Sequence, residues 1–235
     1  MEGYQTVTQS DVAISQPPIV PSWPGFSLAG AGDPGRIEVE RYISTVFAAT
    51  YGARLYSFLP LLLAQRDGDS IHAALGLRRA DSAPLFLEQY LEQPVEQRLA
   101  EASGSAVARA DIVEIGNLVS TSRGSSRLLF LMLAELFAAA GVTWAIFTAT
   151  PEVHRLLGKL TGNQVVLCRA DGRRLGGKLA DWGSYYDTEP AVTAINVAEE
   201  RRRLFNRPLI RELLLGCSAP AQAMAAALRG EPRCN

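Results

Sequence analysis

Cysteine and histidine are scarce in this chain of 235 residues. The three cysteines, Cys168, Cys217 and Cys234, lie far apart with no CxxC pair, and the two histidines, His72 and His154, each stand alone. A zinc site needs clustered nitrogen and sulfur ligands, so no metal centre is expected. Thiols this dispersed read as reduced, structural groups of a cytosolic protein. An excess of charge of either sign is also missing: 23 Lys and Arg face 24 Asp and Glu, a net of −1. No overall field draws such a chain to nucleic acid.

Long apolar runs are missing as well. The longest, Leu128 to Ala140, spans 13 residues and contains Glu135. A membrane-spanning helix needs about 20 apolar residues, so this run predicts a buried core helix. No Lys or Arg precedes Arg36, and no uninterrupted apolar stretch lies before it, so a secretory signal is not expected. No repeat is evident, which excludes a solenoid. The chain reads as cytoplasmic, without a transmembrane segment.

What is present suits one domain with appendages, since a hydrophobic fraction of 48% fills a sizeable core. Residues 1–35 are rich in Pro, Gly and Ser and show neither helical nor strand periodicity. They read as a flexible arm that docks locally through Trp23 and Phe26. From Ile37 the spacing of Tyr42, Val46, Ala49 and Ala53 predicts a helix ending near Gly52. A hairpin follows, with strands at about 59–65 and 70–78 around "RDGDS". "PLFLEQYLEQPVEQRLAEAS" reads as a helix opening at Pro84 and interrupted at Pro94. "ADIVEIGNLVS" reads as a strand, Ser125 to Ala140 as a helix stopped by Gly141, and "VTWAIFTAT" as a buried strand. A short helix at "PEVHRLLGKL", strands at "QVVLCRA" and "AVTAIN", the charged helix "AEERRRLF" and a small apolar helix complete the chain. Helices and strands in that order predict an α/β (α+β layered) fold.

The segment "EIGNLVSTSRGSSR" at 114–127 raises the functional question. A loop that leaves a strand and opens a helix exposes unpaired backbone N–H groups at the positive end of the helix dipole. Such an end takes a phosphate readily. Gly124 permits close approach, Ser122, Ser125 and Ser126 offer hydroxyls, and Arg123 and Arg127 offer charge. The other reading is a polar turn with an ordinary serine helix cap.

The order hairpin, strand, loop, helix, strand, helix, strand resembles the GNAT acyltransferase architecture. In that fold this loop holds the pyrophosphate of coenzyme A or the phosphopantetheine arm, on a Gln/Arg-x-x-Gly-x-Gly/Ala pattern. Here Gly124 takes the first glycine position, while Thr121 and Ser126 depart from the pattern. Four longer motifs, "YGARLYSFLPLLLA" at 51–64, "IVEIGNLVS" at 112–120, "WAIFTATPEVHRLL" at 144–157 and "WGSYYDTEP" at 182–190, together resemble the thermostable hemolysin family. The resemblance covers about 40 to 195. That family is similar to a divergent GNAT branch near the autoinducer synthases, so the resemblance implies acyl transfer more readily than a pore. It implies a mixed central sheet with helices on both faces. Composition and resemblance together divide the chain into an arm at 1–35, an acyltransferase domain at 36–197 and a helical extension at 198–235.

On this reading a phosphopantetheine thioester, either acyl-CoA or an acyl carrier protein, donates to a small-molecule amine, and no cofactor is tightly bound. Leu118, Val119 and Ser120 supply a backbone N–H to the thioester carbonyl, and Arg123, Gly124, Ser125, Ser126 and Arg127 hold the donor. Glu114, a carboxylate in an apolar strand, is the candidate base if it faces a cleft. Its structural alternative is an edge-facing Glu paired with an Arg. Asn117 serves either through its amide at a bulge or as a turn former, and on a regular strand it faces away from Glu114. Tyr185 is the first candidate to protonate the leaving thiolate. Adjacent strand residues point opposite ways, so only one of Tyr185 and Tyr186 is expected at the cleft. Trp182, Tyr186 and Thr148 are assigned to the substrate pocket, with a core role the alternative for Trp182. His154 reads as a surface residue outside any triad. Arg201 to Arg203, Arg207 and Arg211 read as a solvated helical face, or as a dock for an acidic carrier protein. A lipid-active hemolysin without catalysis and a non-catalytic acyl-binding module are the alternative functions.

Overall fold

Seven strands meet in one mixed sheet of order β1-β2-β3-β4-β5-β7-β6. The computed structural model describes residues 25–122 and 124–230. Trp23, Arg123 and Cys234 lie outside the described residues. The strands are β1 (Gly25–Ala29), β2 (Leu61–Asp67), β3 (Ser70–Arg79), β4 (Ile112–Ser120), β5 (Trp144–Ala149), β6 (Val165–Arg169) and β7 (Ala191–Asn196). The helices are α1 (Arg36–Tyr51), α2 (Val95–Ser103), α3 (Ser125–Ala140), α4 (Pro151–Leu157), α5 (Val197–Phe205) and α6 (Pro208–Leu228). All pairings are antiparallel except that of β4 with β5.

The sheet is covered on both faces, as its alternating side chains require. On one face Val113 and Ile115 of β4 and Ala145 and Phe147 of β5 pack against α3, α5 and α6. On the other face α1 lies over β2 and β3, with Val39, Ile43 and Phe47 against Leu62, Ala64 and Ala74. A third cluster packs Tyr90, Val95 and Leu99 against Ile112, Ile146 and Leu167. Burial of each large side chain contributes about 1.5–3 kcal/mol, so these layers rather than single contacts hold the fold. Within the first layer Glu135 of α3 is buried and is held bidentately by Arg201 of α5, at 2.7 and 3.0 Å. Arg201 is therefore part of the packing between α3 and α5 and leaves the solvated face the sequence suggested.

Three local readings change. Residues 25–29 form a strand paired with β2. Their apolar pattern is too weak to show it, because an edge strand is held mainly by its ladder of backbone hydrogen bonds. Residues 84–91 are no α-helix: only a 3₁₀ turn, Phe86–Tyr90, forms between Pro84 and Pro94. Carboxylates take its free amides, with Glu88 accepting the Leu85 N–H at 2.9 Å. The last helix, α6, runs for 21 residues and continues through Pro220.

Candidate active site

Strands β4 and β5 are paired only from Ile112–Trp144 to Ile115–Phe147. Beyond Ile115 strand β4 runs on to Ser120 without β5 beside it. The two strands part there, and a cavity of about 150 Å³ occupies the parting. The cause lies in β4. Its register against β3 passes from Gly76–Gly116 to Ala74–Val119, so Leu75 faces two residues, Asn117 and Leu118. Asn117 is the inserted residue of this bulge, with φ +54°. Asparagine tolerates that left-handed conformation better than most residues.

The bulge has two consequences. It resets the alternation, so Leu118 joins the α3 face and Val119 joins the α1 face. It also turns Asn117 toward the same face as Gly76 and Gly116, where its Oδ1 accepts the Leu59 N–H at 3.3 Å. A regular strand would have sent Asn117 to the opposite side from Glu114; the extra residue overturns that expectation. Thr121 N–H donates to His72 of β3 at 3.0 Å. Strand alternation then directs the N–H groups of Leu118 and Ser120 away from β3, into the gap left by β5.

Glu114 lies on the fourth of seven strands and is 3% exposed. It is not at an edge, and among the described residues it has no ion pair: its oxygens accept the Phe86 N–H at 3.1 Å and the Leu87 N–H at 2.9 Å. Burial raises its pKa, and these two amides and the neighbouring charge of Arg78 oppose the rise. Each oxygen retains a lone pair for a further donor. Glu114 lines the cavity together with Asn117, Leu118 and Thr148.

Trp182, Tyr185 and Tyr186 close the α1 side. Both tyrosines reach the cavity, because they begin a 3₁₀ turn, Tyr185–Thr188, instead of a strand. Consecutive residues of such a turn diverge by about 120°, so neither has to face away. The turn is laid on the end of α1 through Ser184 N–H to Tyr51 O, 2.9 Å, and Arg54 N–H to Asp181 O, 2.6 Å. Tyr185 Oη donates to the Thr148 carbonyl at 3.3 Å, and Tyr186 Oη shares a short hydrogen bond with Tyr90 Oη. Burial pushes the pKa of both phenols far above the ordinary value, so both hold their protons at neutral pH.

On the other side of the sheet the cavity continues as an apolar arm between α3, α4 and α5, walled by Phe130, Phe137, Leu157 and Leu204. At Glu200 of α5 the wall turns polar. That buried carboxylate accepts the N–H groups of Gly162 and Asn163, at 2.8 and 3.0 Å, and latches the loop after α4 to α5. Sequence reasoning missed Phe47, Tyr51, Phe86 and this arm. Only the Phe47–Tyr51 spacing of four, which places two rings on one helix face, signals any of them.

Gly124 lies outside the cavity lining, as do Val119, Ser120, Ser125, Ser126 and Arg127. Gly124 adopts φ +86° ahead of α3, and no side chain caps the helix among the described residues. Its neighbours are tied to β3 and α1: Ser122 Oγ meets His72 Nδ1 at 2.9 Å, and Tyr42 Oη meets Thr121 Oγ1 at 3.0 Å. His154 is half-buried, with Nδ1 on Gln164 Oε1 at 2.8 Å and Nε2 on Thr193 Oγ1 at 3.0 Å. It ties α4 to β7 and is no surface residue. Thr193, the inner member of this array, is fully buried.

A mixed sheet parted between two parallel strands, with helices on both faces, is the GNAT-like acyltransferase fold. The sequence profile of the family described as Thermostable hemolysin matches residues 29–200, and the chain belongs to that family. Among solved structures, FeeM, described as an N-acyl amino acid synthase from uncultured soil microbes, matches with a TM-score of 0.52 at 14% identity, over 76% of this chain and 94% of that one. LasI, described as an AHL synthase, matches with a TM-score of 0.51 at 12% identity, over 75% and 91%. At such identities the likeness establishes the fold. No curated protein matches the chain.

Proposed function

We propose that the protein is an N-acyltransferase that moves an acyl group from a phosphopantetheine thioester to an amine. One observation carries the reading: a cavity at the β4–β5 parting has a buried carboxylate on one side of the sheet and an apolar arm on the other. The acyl chain lies in the arm. The thioester carbonyl meets the N–H groups of Leu118 and Ser120, which stabilise the oxygen as it gains charge. The pantetheine leaves past the loop at 121–127, where Gly124, Ser125, Ser126 and Arg127, with Arg123, hold the phosphates at the start of α3. Acyl-CoA and an acyl carrier protein both present this thioester, and the Arg202, Arg207 and Arg211 side of α5 and α6 suits an acidic carrier. Both thioesters are made in the cytoplasm, where we place the protein.

The chemistry balances over named groups. Glu114 takes a proton from the bound ammonium, directly or through one water, and frees the nitrogen lone pair. That nitrogen attacks the carbonyl carbon, and the tetrahedral intermediate expels the thiolate as the C–S bond breaks. Tyr185, or Tyr186, protonates the sulfur and recovers a proton from the new amide nitrogen. Free thiol and an N-acyl amide result. Native mass spectrometry of the purified protein, followed by a thiol-release assay with an acyl-CoA series and an amine panel, tests this. A retained acyl ligand and amine-dependent thiol are expected. Absence of thiol release with every donor and amine would reject the reading.

A further inference from the structure

The half of the cavity facing α1 is walled by rings. Trp182 stands at the centre, its ring centroid 5.4 Å from that of Tyr185, 5.7 Å from Tyr186, 5.6 Å from Phe86 and 6.2 Å from Phe47. Tyr51 adds an edge-on contact to Tyr185 at 5.2 Å. All six line the cavity. The carboxylic acids of the lining are Glu114 and Glu200, and no Lys, Arg or His is among its described residues. The neighbouring described cations lie outside the lining. Arg78, opposite Glu114 across β3 and β4, donates to the Pro84 carbonyl at 3.0 Å and acts on Glu114 through its charge, Arg201 is committed to Glu135, and Arg203 pairs with Glu199 and Glu200.

From this we propose that the acceptor is a cationic amine without a carboxylate, held against the aromatic wall with its charge toward Glu114. The claim rests on the acyl-transfer reading for the word acceptor, but the cation site stands apart from it. Ring faces carry negative potential and attract an ammonium within about 6 Å of the centroid, more strongly where water is excluded. Glu114 adds its carboxylate at the same wall. An amino-acid acceptor would bring a second carboxylate into this space, where it loses water and no described Lys, Arg or His lines the cavity to meet it. Decarboxylated amines, diamines and amines carrying a second ammonium group fit; their amino-acid counterparts do not.

Two experiments separate this claim from the reaction. Benzyltrimethylammonium, which cannot be acylated, is titrated by calorimetry against the wild-type protein, with phenylacetate as the anionic control. Saturable binding of the cation alone is expected, weakened about tenfold or more by Trp182→Leu and less by Trp182→Phe, in keeping with the rank of ring types. Matched pairs (tyramine and tyrosine, agmatine and arginine, putrescine and ornithine) are then compared for thiol release from octanoyl-CoA and dodecanoyl-CoA. Each carboxylate-free amine should exceed its amino acid at least tenfold in kcat/KM. Faster release with the amino acids would overturn the inference and leave acyl transfer standing. Cation binding with no thiol release from any donor would support the site and reject the acyl-transfer reading. Failure of the wild-type protein to bind the ammonium would overturn the inference whether or not the Trp182 variants fold.

Discussion

The side-chain oxygen of Asn117 accepts the backbone N–H of Leu59 at 3.3 Å, while Asn117 itself sits at φ +54°. One residue thus makes the bulge and fastens over it the segment that leads into β2. Asn117→Gly should lose only the hydrogen bond, about 0.5–1.5 kcal/mol. Asn117→Ala should lose that bond and also meet the left-handed penalty of about 1–2 kcal/mol. Urea midpoints should therefore rank wild type, then Gly, then Ala. Equal midpoints for the two variants would show that the bulge relaxes around alanine.

Leu59 lies flat on two glycines of neighbouring strands. A Cβ at Gly76 would stand 2.8 Å from Leu59 Cβ, and one at Gly116 would stand 3.0 Å from Leu59 Cδ1. Gly116→Ala, whose new methyl would meet Leu59 only at Cγ and Cδ1, should cost about 1–3 kcal/mol by overpacking. Leu59→Ala should cost about 2–5 kcal/mol through the cavity it leaves. In the double variant the new methyl occupies space that Leu59 vacates, so the loss should fall short of the sum by about 0.5–3 kcal/mol. Additive losses in a denaturant cycle would show that the two positions do not share one space.

Glu114→Gln keeps the shape of the side chain but cannot take a proton. Acyl transfer to an amine should fall about 10²–10⁴-fold in kcat, with partial recovery as rising pH deprotonates the amine unaided. Donor binding should persist. Stability should fall as well, because one of the two amide donors at Phe86 and Leu87 then faces the Gln NH₂ group. Normal turnover per folded molecule would end the assignment of Glu114 as base and leave it as the support of Phe86.

Stability against pH offers a second view of the same carboxyl. Its folded pKa lies above the ordinary Glu value because of burial. The unfolded chain therefore releases this proton first, and the folded state loses ground as pH rises from the ordinary carboxylate range through the raised value. Glu88 works the other way: Arg109 holds its pKa down, so its contribution is lost as pH falls through the depressed value. Comparing wild type with Glu114→Gln from about pH 2 to 8, on both sides of the ordinary Glu value, should remove the first trend and leave the second. Parallel profiles would show that Glu114 titrates alike in the folded and unfolded states.

The lytic family name has its own test. Among the described residues no helix is long and apolar enough to cross a membrane. Purified protein at micromolar concentration should leave dye-loaded liposomes intact while releasing thiol from an acyl donor. Leakage without thiol release under any donor and amine would favour the lytic reading.

Much of the fold was legible because its signals are local. Gly52 and Gly141 end α1 and α3 where the periodic apolar residues end, and Pro151 opens α4. Glu114 was legible too, as a carboxylate among Ile and Val. The site's shape was not. The bulge at Asn117 depends on a hydrogen bond to Leu59, 58 positions away, and no window of sequence contains both. Tyr185 and Tyr186 read as alternating strand residues because their 3₁₀ turn is imposed by contacts with the end of α1. Phe86 looked like one helical residue among many until the amides beside it met Glu114. The carboxylates that position this wall are read from tertiary pairing, which leaves no period in the chain.

The place of β7 in the sheet sets the order in which such a chain is completed. It lies between β5 and β6, although it follows both in sequence. During synthesis, which proceeds from the N-terminus at about 5–20 residues per second, β5 emerges first and waits with one edge open. Strand β6 follows and has nothing to join until Ala191–Asn196 is made. Trp182, Tyr185 and Tyr186 lie on the chain just before that strand, in a turn held on the end of α1. Open strand edges are templates for wrong pairing, so the nascent chain is most exposed to aggregation over this interval. A polypeptide halted before Ala191 would carry the base candidate and all six rings of the aromatic wall, but neither β7 nor the α5 residues Val197, Glu200 and Leu204, and the apolar arm is thus the last part of the cavity to be completed.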